Sequence, residues 1–519
     1  MILAACVAYS GFSACAAVAS SCYAPAAEKD GVTLLKTCAP ELTFYAPGAT
    51  AMKITIQATL LTTSDSGAYN RVPIQSAVFD ITKPVVTINM PGNYNAYAYY
   101  GYGAAGKSYA GKRVAVIFNH ANGSMAGVNQ LLTNLKTGTV QNSVEQQEYI
   151  TVKLHTAADQ KAGITMPAAD VTVTNASALA PVVTLAATRV ADFKTAWGMD
   201  KQKVAHMAFS DVRPSEFTPG LIARWDSKAF PSETIAMQGF GVVVNNNMYK
   251  ALMARDVREG QITDVACDSS DASMLLAKCQ PGITSADYAA LMNGKITSAA
   301  EFLRDSAEPR ILTLNRYTSS HGTQIATQIM FAGQANYAGK TPLATGFDMV
   351  GLESPYFNRQ QIWVWGVRES LGFIVITNLS TVDLIFRVSN DESELSIGVA
   401  SLVSLASFRF GPNANSATPK LQTARWVKLD RSPNFKPDGT VDSTQRAGLQ
   451  VGYPFAFEFQ ALKSAKLTGY YSALYADIVN GLKDPANNPT GIAYIGSPDA
   501  SKNTVWTRGG NNYFPLGKY

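Results

Sequence analysis

Charge is scarce along this chain. Asp, Glu, Lys and Arg make up 16% of its 519 residues, and 43 Lys+Arg against 38 Asp+Glu leave a net charge of only +5. No dense basic stripe forms, which argues against a nucleic-acid-binding surface. Histidine is scarcer still: His120, His155, His206 and His321 are scattered through the sequence. No H-E-x-x-H pair and no G-x-S-x-G elbow is present, so the usual signs of a zinc hydrolase or a serine-hydrolase nucleophile are missing. No C-x-x-C pair points to a zinc or redox centre. Beyond the N-terminal segment, no stretch reaches the roughly 18 continuous apolar residues of a membrane-spanning helix. What remains is a globular profile, 47% hydrophobic, long enough for two to four domains or lobes.

The first 27 residues, "MILAACVAYSGFSACAAVASSCYAPAA", carry no charge and are dominated by small apolar side chains. Ala17-Val18-Ala19 fits the A-x-A pattern of a signal-peptidase site, so residues 1–27 read as a leader and the protein as exported. A buried N-terminal helix is the alternative. Cys6 and Cys15 fall inside that leader, leaving Cys22, Cys38, Cys267 and Cys279. Three connectivities are open to four cysteines, and the local one, Cys22 with Cys38 and Cys267 with Cys279, is the simplest.

"GYGAAGKS", Gly101–Ser108, matches G-x-x-x-x-G-K-S and G-x-G-x-x-G at once. Both patterns need a helix opening at the end of the loop, so that its N-terminal N–H groups meet phosphate. Here the Tyr-rich "PGNYNAYAYY" precedes the match, and Val114–Phe118 after it form an apolar run typical of a strand. A Gly/Tyr-rich surface loop with no nucleotide is expected, and Lys107 is expected to be dispensable for folding.

Elsewhere strands and helices alternate. "LTFYA" (Leu42–Ala46), "RVAVIF" (Arg113–Phe118), "KVAHMAFSD" ending at Asp211, "GFGVVVNNN" (Gly239–Asn247) and "RILTLNRY" (Arg310–Tyr317) read as strands, with a helical pattern after most of them. This alternation argues for α/β layers with mostly parallel sheets. Residues 141–188, rich in Thr, Val and Ala, read as a β-rich insertion. Four strand ends run into loops of small residues: "PGATA", "NGSMAG", "FSD" and "SSHGT". Ligands in open α/β sheets bind outside the carboxyl ends of strands. Small hydroxyls and helix N-terminal N–H groups are what a tetrahedral oxyanion needs there.

The order of these pieces resembles the phosphate ABC transporter substrate-binding proteins of the type II periplasmic binding protein superfamily. "LTFYAPGATA" resembles the family's first strand and G-x-[ST]-x loop. "VIFNHANGSMAGVNQLL" resembles its G-S-G-A-G segment, "MAFSDVRPSEFT" its SD-x-P segment, and "NRYTSSHGTQ" its R-x-x-x-S-G-T. "GFGVVVNNN", "GITSADYAALMNGKITSAAEF", "ARWVKLDRSP" and "VGYPFAFEFQAL" are similar to its hinge strand and later segments, so the likeness runs in pieces over residues 41–480. The resemblance implies a two-lobe α/β architecture with a β-rich insertion. Residues 41–235 and 415–519 would form lobe one, and residues 236–414 lobe two.

Carried over residue by residue, the resemblance places Thr50 and Ala51 in the first loop and Ser124 in the second. Asp211 would accept the phosphate proton, and Arg316, Ser320, Gly322 and Thr323 would form the clamp. Arg316 would offer a charge-assisted fork. Asp211 would discriminate against fully ionised sulfate, which brings no proton to its carboxylate. An ordinary ion pair between Arg316 and Asp211 is the plainer alternative. His321 interrupts the S-G-T triplet, Met125 replaces a small residue and Ala51 lacks a hydroxyl. The reading is an exported, periplasmic or secreted protein that clamps inorganic phosphate or a similar oxyanion and hands it to an ABC transporter permease. It is a binder and not an enzyme, with no cofactor, metal, nucleotide or nucleic acid. The alternative is a surface or interaction protein that keeps the fold without the anion.

Overall fold

The computed structural model describes residues 39–49, 52–65, 71–83, 85–90, 96–119, 123–132, 149–155, 171–174, 182–186, 205–214, 225–292, 295–317, 321–332, 373–378, 381–390, 394–401, 424–430, 455–484, 487, 492–494, 506–507 and 517–518. The leader at 1–27, Cys22 and Cys38 lie outside them. The chain opens with β1 (Leu42–Pro47), α1 (Lys53–Leu60) and a hairpin of β2 (Thr62–Asp65) and β3 (Arg71–Gln75). Then come β4 (Val85–Met90), β5 (Ala96–Tyr102), β6 (Arg113–Asn119), α2 (Gly123–Leu132), β7 (Tyr149–His155), β8 (Val171–Thr174), β9 (Val182–Ala186) and β10 (Met207–Ser210). The long β11 (Ser232–Asn245) leads into α3 (Asn246–Arg258), β12 (Gly282–Ile283), α4 (Ser285–Met292), α5 (Ala299–Leu303), β13 (Leu312–Tyr317) and α6 (Gly322–Ala332). Last come β14 (Phe373–Asn378), α7 (Thr381–Asn390), β15 (Leu395–Ser401), β16 (Ala424–Leu429), β17 (Ala456–Lys463), α8 (Gly469–Lys483) and β18 (Ile492–Tyr494).

The result is a mixed α/β fold around two principal sheets. One has the order β1-β6-β5-β4-β7-β9-β8, and the other β10-β17-β11-β15-β13-β14, with β16 and β18 also on β11 and β12 on β16. The expectation of mostly parallel sheets is corrected. In the first sheet β1 and β6 are parallel, while β5 runs antiparallel to both β4 and β6, and β7 to β4 and β9. Short connections allow only antiparallel neighbours, whereas a parallel pair needs a crossover of a dozen or more residues. Parallel pairing appears where helices intervene: β13 pairs in parallel with β14 and β15, with α6 and α7 in the connections. The insertion is β-rich as expected, its strands β7, β9 and β8 extending the first sheet outward from β4.

Three strands divide the apolar interior into two clusters. Side chains alternate across a strand, so each can serve two cores. From β10, Met207 and Phe209 enter a cluster with Phe44, Ile56, Val116, Phe118 and the α8 residues Leu474 and Ile478. Ala208 enters the other, with Val242–Val244, Tyr249, Leu252, Leu314, Ile397 and Trp426. The long β11 gives Ile235 and Ala236 to the first cluster and Phe240 onward to the second. β17 divides similarly, Phe459 and Ala461 against Phe457 and Leu462. The larger of these side chains, Val, Leu, Ile, Phe and Met, each contribute on the order of 1.5–3 kcal/mol by leaving water, so a polar residue at any of them is costly. β16 pairs with Val242–Asn245 and its Trp426 belongs to the second cluster, although residues 424–429 fall in the span expected for lobe one.

"GYGAAGKS" ends β5 and turns back into β6, with Gly101 opposite Val114 and Tyr102 opposite Arg113. No helix opens there, as the flanking residues indicated. Lys107 has a partner that its flanking residues do not announce. Its ammonium lies 2.5 Å from Asp477 Oδ1, and the Tyr109 hydroxyl donates to Asp477 Oδ2 at 2.7 Å. The loop is thereby clipped to α8. Cys267 and Cys279 are bridged, with Cα atoms 5.3 Å apart and both side chains buried. No described helix is long and apolar enough to cross a membrane.

Candidate functional site

The described residues of the four loops picked out at strand ends converge. β1 pairs with β6 up to Pro47 opposite Asn119, and the chain then turns across the end of β10. The Ala49 N–H donates to the Phe209 carbonyl at 3.1 Å, and Gly48 N–H to the Asn119 carbonyl at 2.9 Å. Gly48 has φ +148, and a Cβ on it would strike the Phe209 backbone. On α2, a Cβ on Gly127 would come within 2.6 Å of Gly48 Cα. Backbone meets backbone here, and only glycine permits it. These contacts bring the start of α2 against the ends of β1 and β10.

At the centre lies Asp211, 1% exposed, just past the end of β10. The Ser124 hydroxyl, on the first turn of α2, donates to Asp211 Oδ1 in a very short hydrogen bond. The Asp211 N–H returns a bond to Ser124 Oγ at 3.2 Å. From the first turn of α6, the Thr323 hydroxyl donates to Asp211 Oδ2 at 3.2 Å. Gly322 is packed so closely that a Cβ on it would overlap both the Asp211 carboxylate and the Ser124 hydroxyl. Burial pushes the Asp211 carboxyl above its usual range, and the Ser124 and Thr323 hydrogen bonds pull the other way. Among the described residues no cation lies within ion-pair distance of this carboxylate, so the plainer reading of an Arg316–Asp211 ion pair does not hold. The Asp211 carboxylate thus sits between two helix N-termini, held by hydroxyls, as a bound oxyanion would be.

Ser124, Asp211, Gly322 and Thr323 are therefore brought together. Arg316 stands at the end of β13, where its Nε donates to Thr377 Oγ1 of β14 at 3.1 Å. With Tyr288, Met292, Gln324 and Thr327 it lines a small cavity beneath α6. Thr50, Ala51 and Ser320 lie outside the described residues, as does His120. Met125 packs against the second apolar cluster.

His321, read from the sequence as an interruption, proves to be part of the packing. Its ring stacks on Tyr317 at 4.3 Å between centroids and is 2% exposed. Thr323 N–H donates to its Nδ1 at 3.3 Å, which leaves the ring proton of the neutral form on Nε2. Among the described residues that buried Nε2 has no hydrogen-bond partner. Burial lowers the His321 pKa to about 4, so the ring is neutral at ordinary pH. Its Cδ2 edge faces Gly123, whose φ of +69 and lack of a side chain admit the ring at the head of α2. The signal was in "SSHGT": a histidine directly ahead of a helix-opening glycine belongs to the helix cap, not to a passing loop.

Two further groups escaped the reading of the sequence. Arg213 makes a two-pronged ion pair with the buried Glu458 of β17, Nε to Oε2 at 2.6 Å and Nη2 to Oε1 at 2.7 Å. This anchors the segment that follows Asp211, and nothing in a sequence links residues so far apart. His206 is stacked between Tyr471 at 4.3 Å and Phe44 at 5.1 Å. Its Nδ1 accepts from the Tyr45 N–H at 3.0 Å, and burial lowers its pKa to about 4. It is a structural clasp between β1 and β10. Among the described residues no group of three or more His, Cys, Asp or Glu is placed to hold a metal.

Among solved structures the chain is similar to a putative phosphate ABC transporter substrate-binding protein with bound phosphate from Clostridium perfringens. The identity is 12%, the coverage 55% of this chain and 74% of that one, and the TM-score 0.28. An ABC-type phosphate transport receptor from Vibrio cholerae gives 11% identity, 55% and 75% coverage and a TM-score of 0.27. PstS from Borrelia burgdorferi gives 13%, 56% and 80%, with a TM-score of 0.26. No family model and no curated protein sequence matches the chain. Likeness at these scores transfers no ligand, and the functional reading rests on the site's own residues.

Proposed function

We propose that this is an exported solute-binding protein that takes a phosphate-like oxyanion between two lobes and delivers it to an ABC transporter permease. The observation that carries the reading is the meeting of Ser124 and Thr323, on the first turns of two separate helices, at one buried carboxylate. Lobe one would hold residues 41–235 and 415–519, and lobe two residues 236–414. An entering anion displaces the hydroxyls from Asp211 and takes their hydrogen bonds together with the helix N-terminal N–H groups. Asp211 then accepts the proton that phosphate still carries, which sulfate lacks. Arg316 supplies charge from the end of β13 once the loops part, and Thr50, Ala51 and Ser320 complete the shell. The role is binding and not catalysis.

A second reading has its own observation. Asp211 already occupies the cradle, with Gly322 packed against it and, among the described residues, no cation paired to it. A protein that keeps the fold for interaction, and has lost the anion, would show the same self-satisfied site. Thermal denaturation in phosphate and in sulfate separates the two. A binder is stabilised by RT ln(1 + [L]/Kd), about 2.7 kcal/mol at a hundredfold excess over Kd, and a retired site is not stabilised at all.

A further inference from the structure

We infer that His321, inserted ahead of the glycine that opens α6, is itself a ligand-contacting residue whose Nε2–H donates to an anion held between the first turns of α2 and α6. This inference rests on the oxyanion-binding reading above. The ring is fixed on both sides and at one nitrogen: Tyr317 stacks on it, Gly123 makes room for its Cδ2 edge, and Nδ1 accepts from Thr323 N–H. With Nδ1 used as an acceptor, the neutral ring carries its proton on Nε2. That donor is buried and, among the described residues, unpartnered.

An unpaired buried N–H is unfavourable, so its persistence calls for a partner. The Cδ2 edge faces Gly123 at the head of α2, and Nε2 is bonded to Cδ2. The head of α2 on that side brings N–H donors, and the nearby acceptor, the Asp211 carboxylate, is already engaged by the Ser124 and Thr323 hydroxyls. Two sets of donors facing one another are satisfied together by one group only, an acceptor with several lone pairs. A tetrahedral oxyanion meets that requirement, and the same anion would meet the Ser124 and Thr323 hydroxyls beside it. The inserted residue adds a donor to the clamp instead of spoiling it. It is also a neutral one, since burial keeps the ring uncharged at ordinary pH.

The test uses the full chain labelled with 15N-histidine, titrated with inorganic phosphate, alongside calorimetry on wild type, His321→Phe and His321→Gln. Phenylalanine keeps the stack on Tyr317 and removes the donor, while glutamine restores an N–H. The expected result is a phosphate-dependent shift of one imidazole Nε2 signal, absent from His321→Phe, with the Nδ1 signal nearly still. His321→Phe should weaken phosphate about three- to tenfold, as for one neutral hydrogen bond, and glutamine should recover part of that. If wild type binds phosphate while the Nε2 signal stays put and His321→Phe binds equally well, the inference is overturned and the binding function stands. If wild type binds no phosphate, both fall. A His321→Phe protein that fails to fold leaves the wild-type Nε2 shift and the glutamine variant to decide the matter.

Discussion

Replacing Gly322 with alanine puts the packing of the candidate site under direct strain. The added methyl would stand 2.7 Å from Asp211 Cγ and overlap both Asp211 Oδ1 and Ser124 Oγ. Neither neighbour moves freely: Asp211 is 1% exposed and held by two hydroxyls, and Ser124 is fully buried. Overpacking of this kind typically costs 1–3 kcal/mol. Alanine recovers at most about 1 kcal/mol through its better helix propensity. With overlap on two buried groups at once, the cost falls in the upper part of that range, about 2–3 kcal/mol, so a net loss of about 1–2 kcal/mol is expected, read as a lower denaturant midpoint at unchanged slope. In an Asp211→Ala background the obstructing carboxylate is gone, so Gly322→Ala should cost at least about 1 kcal/mol less there, a coupling expected of residues in contact. If Gly322→Ala is as stable as wild type, or equally costly in both backgrounds, the close approach of α6 to Asp211 is wrong.

Other consequences follow from the same contacts. His206 is half-buried and neutral in the folded chain, with its pKa lowered by desolvation to about 4 against 6.5 when unfolded. The unfolded chain therefore binds the extra proton first, and stability contributed above pH 6.5 is lost as pH falls towards 4, by up to about 3 kcal/mol. His206→Phe should flatten that part of the pH profile of the melting temperature; an unchanged profile would count against the buried stack. Lys107→Ala should loosen the β5–β6 loop from α8 by about 1 kcal/mol or less, since the pair is partly exposed. Proteolysis near residues 103–112 should rise in that variant, and affinity for ATP should not change. Opening the Cys267–Cys279 bridge by Cys267→Ser with Cys279→Ser should cost about 2–4 kcal/mol, measured by denaturant titration without reductant; equal midpoints would argue against the bridge.

Much of this arrangement was legible in the residues. Local patterns carried the strand ends: β-prone runs at Leu42–Ala46 and Arg113–Phe118 stop at small residues, and Ser124 and Thr323 follow glycines that open helices. The bridge between Cys267 and Cys279 needed only short spacing in a chain read as exported. Sheet direction was not legible, because a strand run looks the same in a parallel or an antiparallel neighbour. The β5–β6 hairpin illustrates this: its turn was read as a surface loop ahead of a strand, but nothing in the residues showed that strand pairing back onto β5. Long-range partners were equally hidden. Nothing near Lys107 announces Asp477, and nothing near Arg213 announces Glu458. His321 was visible as an inserted residue, either a further donor or merely a loop residue, but its stack on Tyr317 and the bond from Thr323 were not.

The central claim is that Ser124, Asp211 and Thr323 form an oxyanion site. Isothermal titration with inorganic phosphate and with sulfate, on wild type and on Asp211→Asn, tests it most directly. The account predicts saturable phosphate binding at one site, little binding of sulfate, and in Asp211→Asn a weaker phosphate affinity with the discrimination between the two anions reduced. No heat from either anion with wild type at millimolar concentration would contradict it, and would leave Asp211 as the permanent occupant of its own cradle.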